Sequence, residues 1–246
     1  MDILGIDIGG SGVKGAPVDL SSGTLKTDRF RIPTPKPATP EAVAETVEAV
    51  RAHFDWTGLI GCTVPARVEH GLVRTAANIH KYWIDTKVED LLSDATGHPV
   101  KVLNDADAAG LASVRFGAGK NRQGLIMFIT VGTGIGSAMF YDGVLIPNTE
   151  LGHLKLKGNA AELYASDRIR KLKGLTWKEW AGRFQKYLNR IEFLFSPDVI
   201  IIGGGVSRPK KMDEYWRFLD THAVLVAEDL QNEAGIIGAA LAADPN

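Results

Sequence analysis

Hydrophobic positions along this 246-residue chain follow two spacings, and each predicts a different element. Short, nearly continuous apolar runs predict strands. These are Ile3-Leu4-Gly5-Ile6-Asp7-Ile8, Leu59-Ile60-Gly61-Cys62-Thr63-Val64, Val100-Lys101-Val102-Leu103, Leu125–Val131 and Val199–Ile202. Apolar residues three and four apart predict helices. Val43, Val47 and Val50 mark one over 41–54, and Val88, Leu91 and Leu92 mark one over 85–95. Ala106–Arg115 and Ala234–Ala243 are alanine-rich and read as helices. The strongest stripe is Trp177, Trp180, Phe184, Tyr187, Leu188, Ile191 and Leu194, predicting a core helix over 176–195. Four prolines make 33–40 an extended connector.

Two strands end in glycine-rich bends. Ile3–Ile8 leads into Gly9-Gly10-Ser11-Gly12-Val13-Lys14, and Leu125–Val131 leads into Gly132-Thr133-Gly134-Ile135-Gly136. Glycines let backbone N–H groups approach a ligand without Cβ obstruction, and such a bend can cradle an anion beside a lysine. The plain alternative for either bend is an ordinary tight turn. Gly10-x-Gly12-x-x-Gly15, with Asp28 beyond it, matches the dinucleotide fingerprint only if it opens a helix. The residues that follow, 16–32, instead read as strand, turn, strand. Gly119-Lys120 is followed by Asn121, so no P-loop is present. The recurrence of strand, glycines and strand half a chain apart predicts a duplicated architecture.

Bulk composition narrows the class. Hydrophobic residues at 45% and charged residues at 23% suit a globular protein. A net charge of -1 argues against wholesale nucleic-acid binding. Cys62 is the only cysteine, which fits a reducing, cytoplasmic setting. No apolar run approaches the roughly 20 residues that span a bilayer, so no membrane partner is expected.

Read in order, the segments resemble the ROK family of sugar kinases, within the actin–hexokinase superfamily. Asp7-Ile8-Gly9-Gly10-Ser11-x-Val13-Lys14 resembles its first phosphate motif. Leu103-Asn104-Asp105-Ala106-Asp107 resembles its catalytic strand-to-helix junction, and Thr130–Gly136 its second phosphate motif. Glu150-Leu151-Gly152-His153 and Glu162–Ser166 are similar to its sugar-binding segments, and Gly203-Gly204-Gly205-Val206-Ser207 to the segment near the nucleoside in ATP-using relatives. The resemblance implies a two-lobed α/β fold of the ribonuclease-H-like type with mixed sheets. The lobes are expected at 1–105 and 106–232, with a helix over 233–243 packing back on the first. It implies Asp105 as the base that takes a proton from a sugar hydroxyl; by itself, without the neighbouring motifs, such a residue reads first as a helix N-cap. Glucose contacts fall to Asn78, Asn104, Asp105, Glu150, His153 and Glu162. Phosphate contacts fall to Asp7, Gly9, Gly10, Ser11, Gly12, Lys14, Thr130, Gly132, Thr133, Gly134, Gly204 and Gly205. Mg²⁺ is implied as cofactor, held by Asp7 through water.

Many family members carry a cysteine-rich zinc motif after the Glu-x-Gly-His segment. Residues 154–165 contain no cysteine, so no zinc is expected. Thr75-Ala76-Ala77-Asn78, Phe193–Pro197, Leu230–Gly235 and 174–197 as a whole resemble the branch that uses inorganic polyphosphate as donor and glucose as acceptor. ATP stays open as a second or alternative donor. A polyphosphate track would draw on Lys120 and Arg122, on Arg168, Arg170, Lys171 and Lys173, or on Arg208, Lys210 and Lys211; any of these runs could equally be a solvated face. A homodimer is implied by the family. Two other classes remain: a sugar-sensing repressor, whose relatives carry an added N-terminal DNA-binding domain for which a strand starting at residue 3 leaves no room, and a structural actin-like protein.

Overall fold

The computed structural model describes residues 1–76 and 79–245. Its contacts divide the chain into one unit of residues 1–112 with 233–246 and a second of 113–232. Each unit is α/β with a mixed sheet, the class expected from the sequence.

In the first unit the chain runs through β1 (Asp2–Gly9), β2 (Gly12–Asp19), β3 (Thr24–Leu25), β4 (Phe30–Ile32), α1 (Pro40–His53), β5 (Ile60–Val64), β6 (Val68–Glu69), β7 (Leu72–Val73), α2 (Val88–Thr96) and β8 (Val100–Asn104). The helix α3 (Asp105–Phe116) then leads into the second unit. The sheet order is β3-β2-β1-β5-β8, with β1–β2 antiparallel and β1–β5 and β5–β8 parallel. The strand expected over Thr24–Ile32 is two pieces, both paired to β2. Between their registers lies Pro17, which has no N–H to donate, so the ladder breaks there. The helix expected from Asp85 starts three residues later, because Asp85 sits at φ 62° and cannot lie in a right-handed turn.

The two faces of this sheet are covered differently. Leu4, Ile6 and Ile8 pack with Val43, Val47 and Val50 of α1 in one apolar core. On the other face, Gly5 and Gly61 are register partners on β1 and β5. A Cβ at Gly5 would lie 2.0 Å from the Ile236 carbonyl oxygen, and one at Gly61 would lie 1.7 Å from that of Ala239. The bare strands thus form a groove for the chain's last helix (Ala234–Ala242).

The second unit continues with β9 (Leu125–Val131), β10 (Ile135–Tyr141), β11 (Val144–Ile146), β12 (Lys155–Leu156), β13 (Asn159–Ala160), α4 (Glu162–Ala165), α5 (Asp167–Leu172), α6 (Trp177–Phe195), β14 (Val199–Gly203), α7 (Pro209–Tyr215) and β15 (Val224–Ala227). The last helix, back in the first unit, is α8. The sheet order β11-β10-β9-β14-β15 repeats the first plan: two antiparallel pairings, then two parallel ones. The expected duplication is therefore a repeat of strand order as well as of glycine bends. A capping box between Thr176 and Glu179 starts α6, and Ser196 at φ 47° ends it. The stripe from Trp180 to Ile191 is buried, whereas Leu194 at its far end is exposed.

One buried carboxyl follows β15. Glu228 is 3% exposed, and its Oε1 accepts from the Asp229 and Leu230 amides at 2.9 Å. Burial pushes this carboxyl up from the ordinary glutamate value. The folded state therefore favours the protonated form, and the stability it supplies fades as pH rises through the folded pKa. Glu228→Gln should raise the melting temperature at pH 8 by about 2–4 °C, the shift that roughly 1 kcal/mol gives at this size. The difference from the parent should shrink toward pH 4. Calorimetry at both pH values checks this, and an equal shift at the two would refute it.

Candidate active site

In both sheets the residues picked out by sequence gather at the carboxyl ends of parallel strands, where α/β folds bind ligands. On the first sheet, β1 ends with Asp7–Gly9 and β8 with Asn104, while Thr63, which the sequence did not flag, stands next to the end of β5. Asp7 lies beside Lys14 on one neighbouring strand and Thr63 on the other. Its Oδ2 accepts from Lys14 Nζ at 3.1 Å and its Oδ1 from Thr63 Oγ1 at 3.0 Å. A Cβ on Gly235, in the first turn of α8, would lie 3.1 Å from the Asp7 carboxyl carbon. The positive end of α8 thus stands by this carboxylate. Gly10 and Ser11 are exposed at the tip of the turn. Thr34 Oγ1 donates to the Gly9 carbonyl at 2.5 Å, and the Arg31 guanidinium donates to that of Ser11.

Asn104 and Asp105 divide two tasks that sequence alone leaves merged. Asn104 is buried; its Oδ1 accepts from the amides of Ala106 at 2.8 Å and Asp107 at 3.1 Å, and its Nδ2 donates to the Ala66 carbonyl at 3.1 Å. It caps α3 and ties that helix to the segment after β5. Asp105 opens the helix, is exposed, and accepts from the Ala106 amide at 2.9 Å through Oδ1. Asn78 lies outside the described residues.

On the second sheet, β9 ends in Thr130 and its bend, and β14 ends in Gly203, the register partner of Thr130. Gly204, at φ 79°, lets the triple glycine press on the bend: a Cβ there would be 2.8 Å from the Val131 nitrogen and oxygen. The Gly132 carbonyl accepts from the Arg168 amide at 3.1 Å. The polar cluster is fastened to the same bend. Gly152 fits because a Cβ would lie 1.9 Å from the Ile135 carbonyl oxygen, and Glu162 Oε2 accepts from the Ile135 amide at 3.4 Å. Ser137 Oγ takes the Leu151 amide at 2.9 Å. Between these anchors, His153 Nδ1 is 3.4 Å from Glu150 and Nε2 is 4.0 Å from Glu162. Two carboxylates flanking an imidazole offer the mix of acceptors and donors that a ring of hydroxyls requires.

The basic runs separate in the structure. Arg170 and Lys171 turn onto the buried carboxylate of Asp167 at 2.8 and 3.2 Å, and Arg170 also stacks on Trp177. Burial alone would push the Asp167 carboxyl up; the bonds from Arg170 and Lys171 and the nearby Lys211 outweigh it and hold it below the ordinary value. Lys211, 3.6 Å from Asp167, also lies 3.8 Å from where a Cβ on Gly205 would be, so it stands at the triple glycine. Thr63, Arg31, Thr34 and Ser137 were not singled out by sequence. A hydroxyl inside the buried run of β5 is the one signal that could have flagged Thr63.

Two α/β sheets with one repeated strand plan, each closing on a glycine bend, define a fold of the actin–hexokinase type. Residues 3–166 match the ROK family model, and the chain belongs to that family. It is 49% identical over 240 residues to the polyphosphate glucokinase of Mycobacterium tuberculosis, covering 97% of this chain and 90% of that one. It is similar to the inorganic polyphosphate/ATP-glucomannokinase of Arthrobacter sp. strain KM, with 48% identity, a TM-score of 0.93 and coverage of 98% and 97%. A ROK family glucokinase from Streptomyces griseus, solved with glucose and AMPPNP, superposes with a TM-score of 0.81 at 25% identity, covering 99% of each chain. No helix among the described residues is long and apolar enough to cross a membrane.

Proposed function

We propose that this enzyme transfers a phosphoryl group from inorganic polyphosphate to the 6-hydroxyl of glucose, giving glucose 6-phosphate. Asp105 takes the hydroxyl proton as the sugar oxygen attacks phosphorus. The bond to the bridging oxygen breaks, and a polyphosphate one unit shorter leaves. The observation that carries this reading is the exposed Asp105 carboxylate on a helix start that Asn104 already caps. An exposed carboxylate fixed at a strand end, beside a neighbour that takes most of the capping, suits proton abstraction. Glu150, His153 and Glu162 are assigned to sugar hydroxyls, and the two glycine bends with Lys14 to phosphate oxygens. The donor assignment is supported by the identity to polyphosphate glucokinase. ATP is the second donor, a reading favoured by the likeness to the polyphosphate/ATP enzyme.

Mg²⁺ is the cofactor of this reading, and it supplies neutralisation of phosphate charge. Asp7 is a hard oxygen donor whose two oxygens already take Lys14 and Thr63, which suits contact through water. A homodimer in a reducing cytoplasm belongs to the same reading. Exposed Phe193, Leu194 and Val224 support the first, and a lone buried Cys62 the second.

The test supplies glucose and Mg²⁺ with polyphosphate or ATP side by side. Glucose 6-phosphate is expected with polyphosphate as the faster donor, and chelation should stop it. No product from either donor would refute the assignment.

A further inference from the structure

One row of side chains crosses four strands of the first sheet. Arg31 on β4, Lys14 on β2, Asp7 on β1 and Thr63 on β5 are successive register partners, so they share one face. Lys14 gives its charge to Asp7 at 3.1 Å. Arg31 does not join that pair. It leans along the sheet onto the glycine bend, where a Cβ on Gly12 would lie 2.5 Å from its Nε and 2.8 Å from its Cζ and Nη2. In this arrangement the guanidinium fills the place that a side chain at Gly12 would take. The group donates to the Ser11 carbonyl, and no carboxylate among the described residues pairs with it. The bend therefore carries one uncompensated positive charge. A guanidinium has five N–H donors in a planar fork, a shape matched to phosphate oxygens.

The geometry points to Arg31 as a binding residue for the phosphate chain of the donor, alongside Lys14. This rests on the proposed phosphotransfer reading. The ligand it takes is a chain of linked phosphates, whether inorganic polyphosphate or the triphosphate of a nucleotide. By holding the Ser11 carbonyl, the same guanidinium fixes a carbonyl dipole of the bend that would otherwise be free to face the anion.

The test compares the parent with Arg31→Ala and Arg31→Lys in the full chain. Donor KM, glucose KM and kcat are measured with polyphosphate and with ATP. Binding of polyphosphate alone is followed by calorimetry at two salt concentrations. Arg31→Ala should raise donor KM about tenfold or more, the loss expected for one charge-assisted contact, with glucose KM and kcat within about twofold. It should also weaken the salt dependence of binding. Arg31→Lys should recover only part, having charge without the fork. A larger effect with polyphosphate than with ATP would make the inorganic chain the ligand, and equal effects would make it the shared triphosphate unit. Unchanged donor KM in an active parent, or parallel losses in kcat and both KM values that lysine fully restores, would overturn the inference and leave Arg31 a strut for Ser11. Should the parent transfer from neither donor, the phosphotransfer reading falls, and the calorimetric comparison still decides whether Arg31 binds the chain.

Discussion

Asp105→Asn is expected to lower kcat by about 10²–10⁴-fold, the usual worth of a positioned general base. That corresponds to roughly 3–5 kcal/mol of barrier. The fold should be untouched, for a specific reason. The helix start is satisfied by Asn104, whose Oδ1 takes both the Ala106 and Asp107 amides. An asparagine at 105 retains an oxygen for the Ala106 amide and cannot take a proton from substrate. Melting temperature and glucose affinity should therefore stay near parental values while turnover collapses. Asn104→Ala tests the complementary half. It removes the cap, costing about 1 kcal/mol of stability, and breaks the bond from the Asn104 side-chain amide to the Ala66 carbonyl that ties the start of α3 to the segment after β5. Near-normal turnover in Asp105→Asn would remove this residue from the chemistry.

The division between these neighbours shows where a sequence can be read and where it cannot. Glycine bends, buried strands and the α6 stripe are written in local spacing, and the structure reproduces them. The cap and the candidate base differ by one position, and only the path of the chain beyond β8 decides which side chain reaches back to the amides. Arg31 stayed hidden because its place at the bend depends on β4 returning to β2 in one register, with Lys14 paired to Arg31 across the intervening turn and β3. For Arg170 and Lys171 the sequence leaves a phosphate track and a solvated face both open, because their partner, Asp167, is acidic yet buried, and burial is not visible in a run of letters. The elements not foreseen, β6, β7, β12, β13, α4, α7 and β15, have between two and seven residues, too short to establish a period.

Gly61→Ala is expected to be among the most destabilising single-methyl changes in the chain. The added carbon would lie 1.7 Å from the Ala239 carbonyl oxygen and 2.4 Å from its carbon. Overpacking against movable side chains costs about 1–3 kcal/mol. Here the obstacle is helix backbone, so a loss at or above the top of that range is expected. Three contacts of the same kind hold α8: Gly5 under Ile236, Gly61 under Ala239, and Gly238, whose Cβ would be 1.7 Å from the Ala108 carbonyl of α3. The helix cannot shift to relieve one without disturbing the others. Its displacement would also reach the chemistry, because Gly235 in its first turn abuts Asp7, and Thr63, two residues from Gly61, bonds the same carboxylate. Denaturant titration should show the midpoint fall, with soluble yield as a second readout. Gly182→Ala is the control. That glycine lies within α6 with no atom in the way, and alanine there should stabilise by up to about 1 kcal/mol. A Gly61→Ala protein as stable as its parent would mean that α8 does not rest on β5 at this distance.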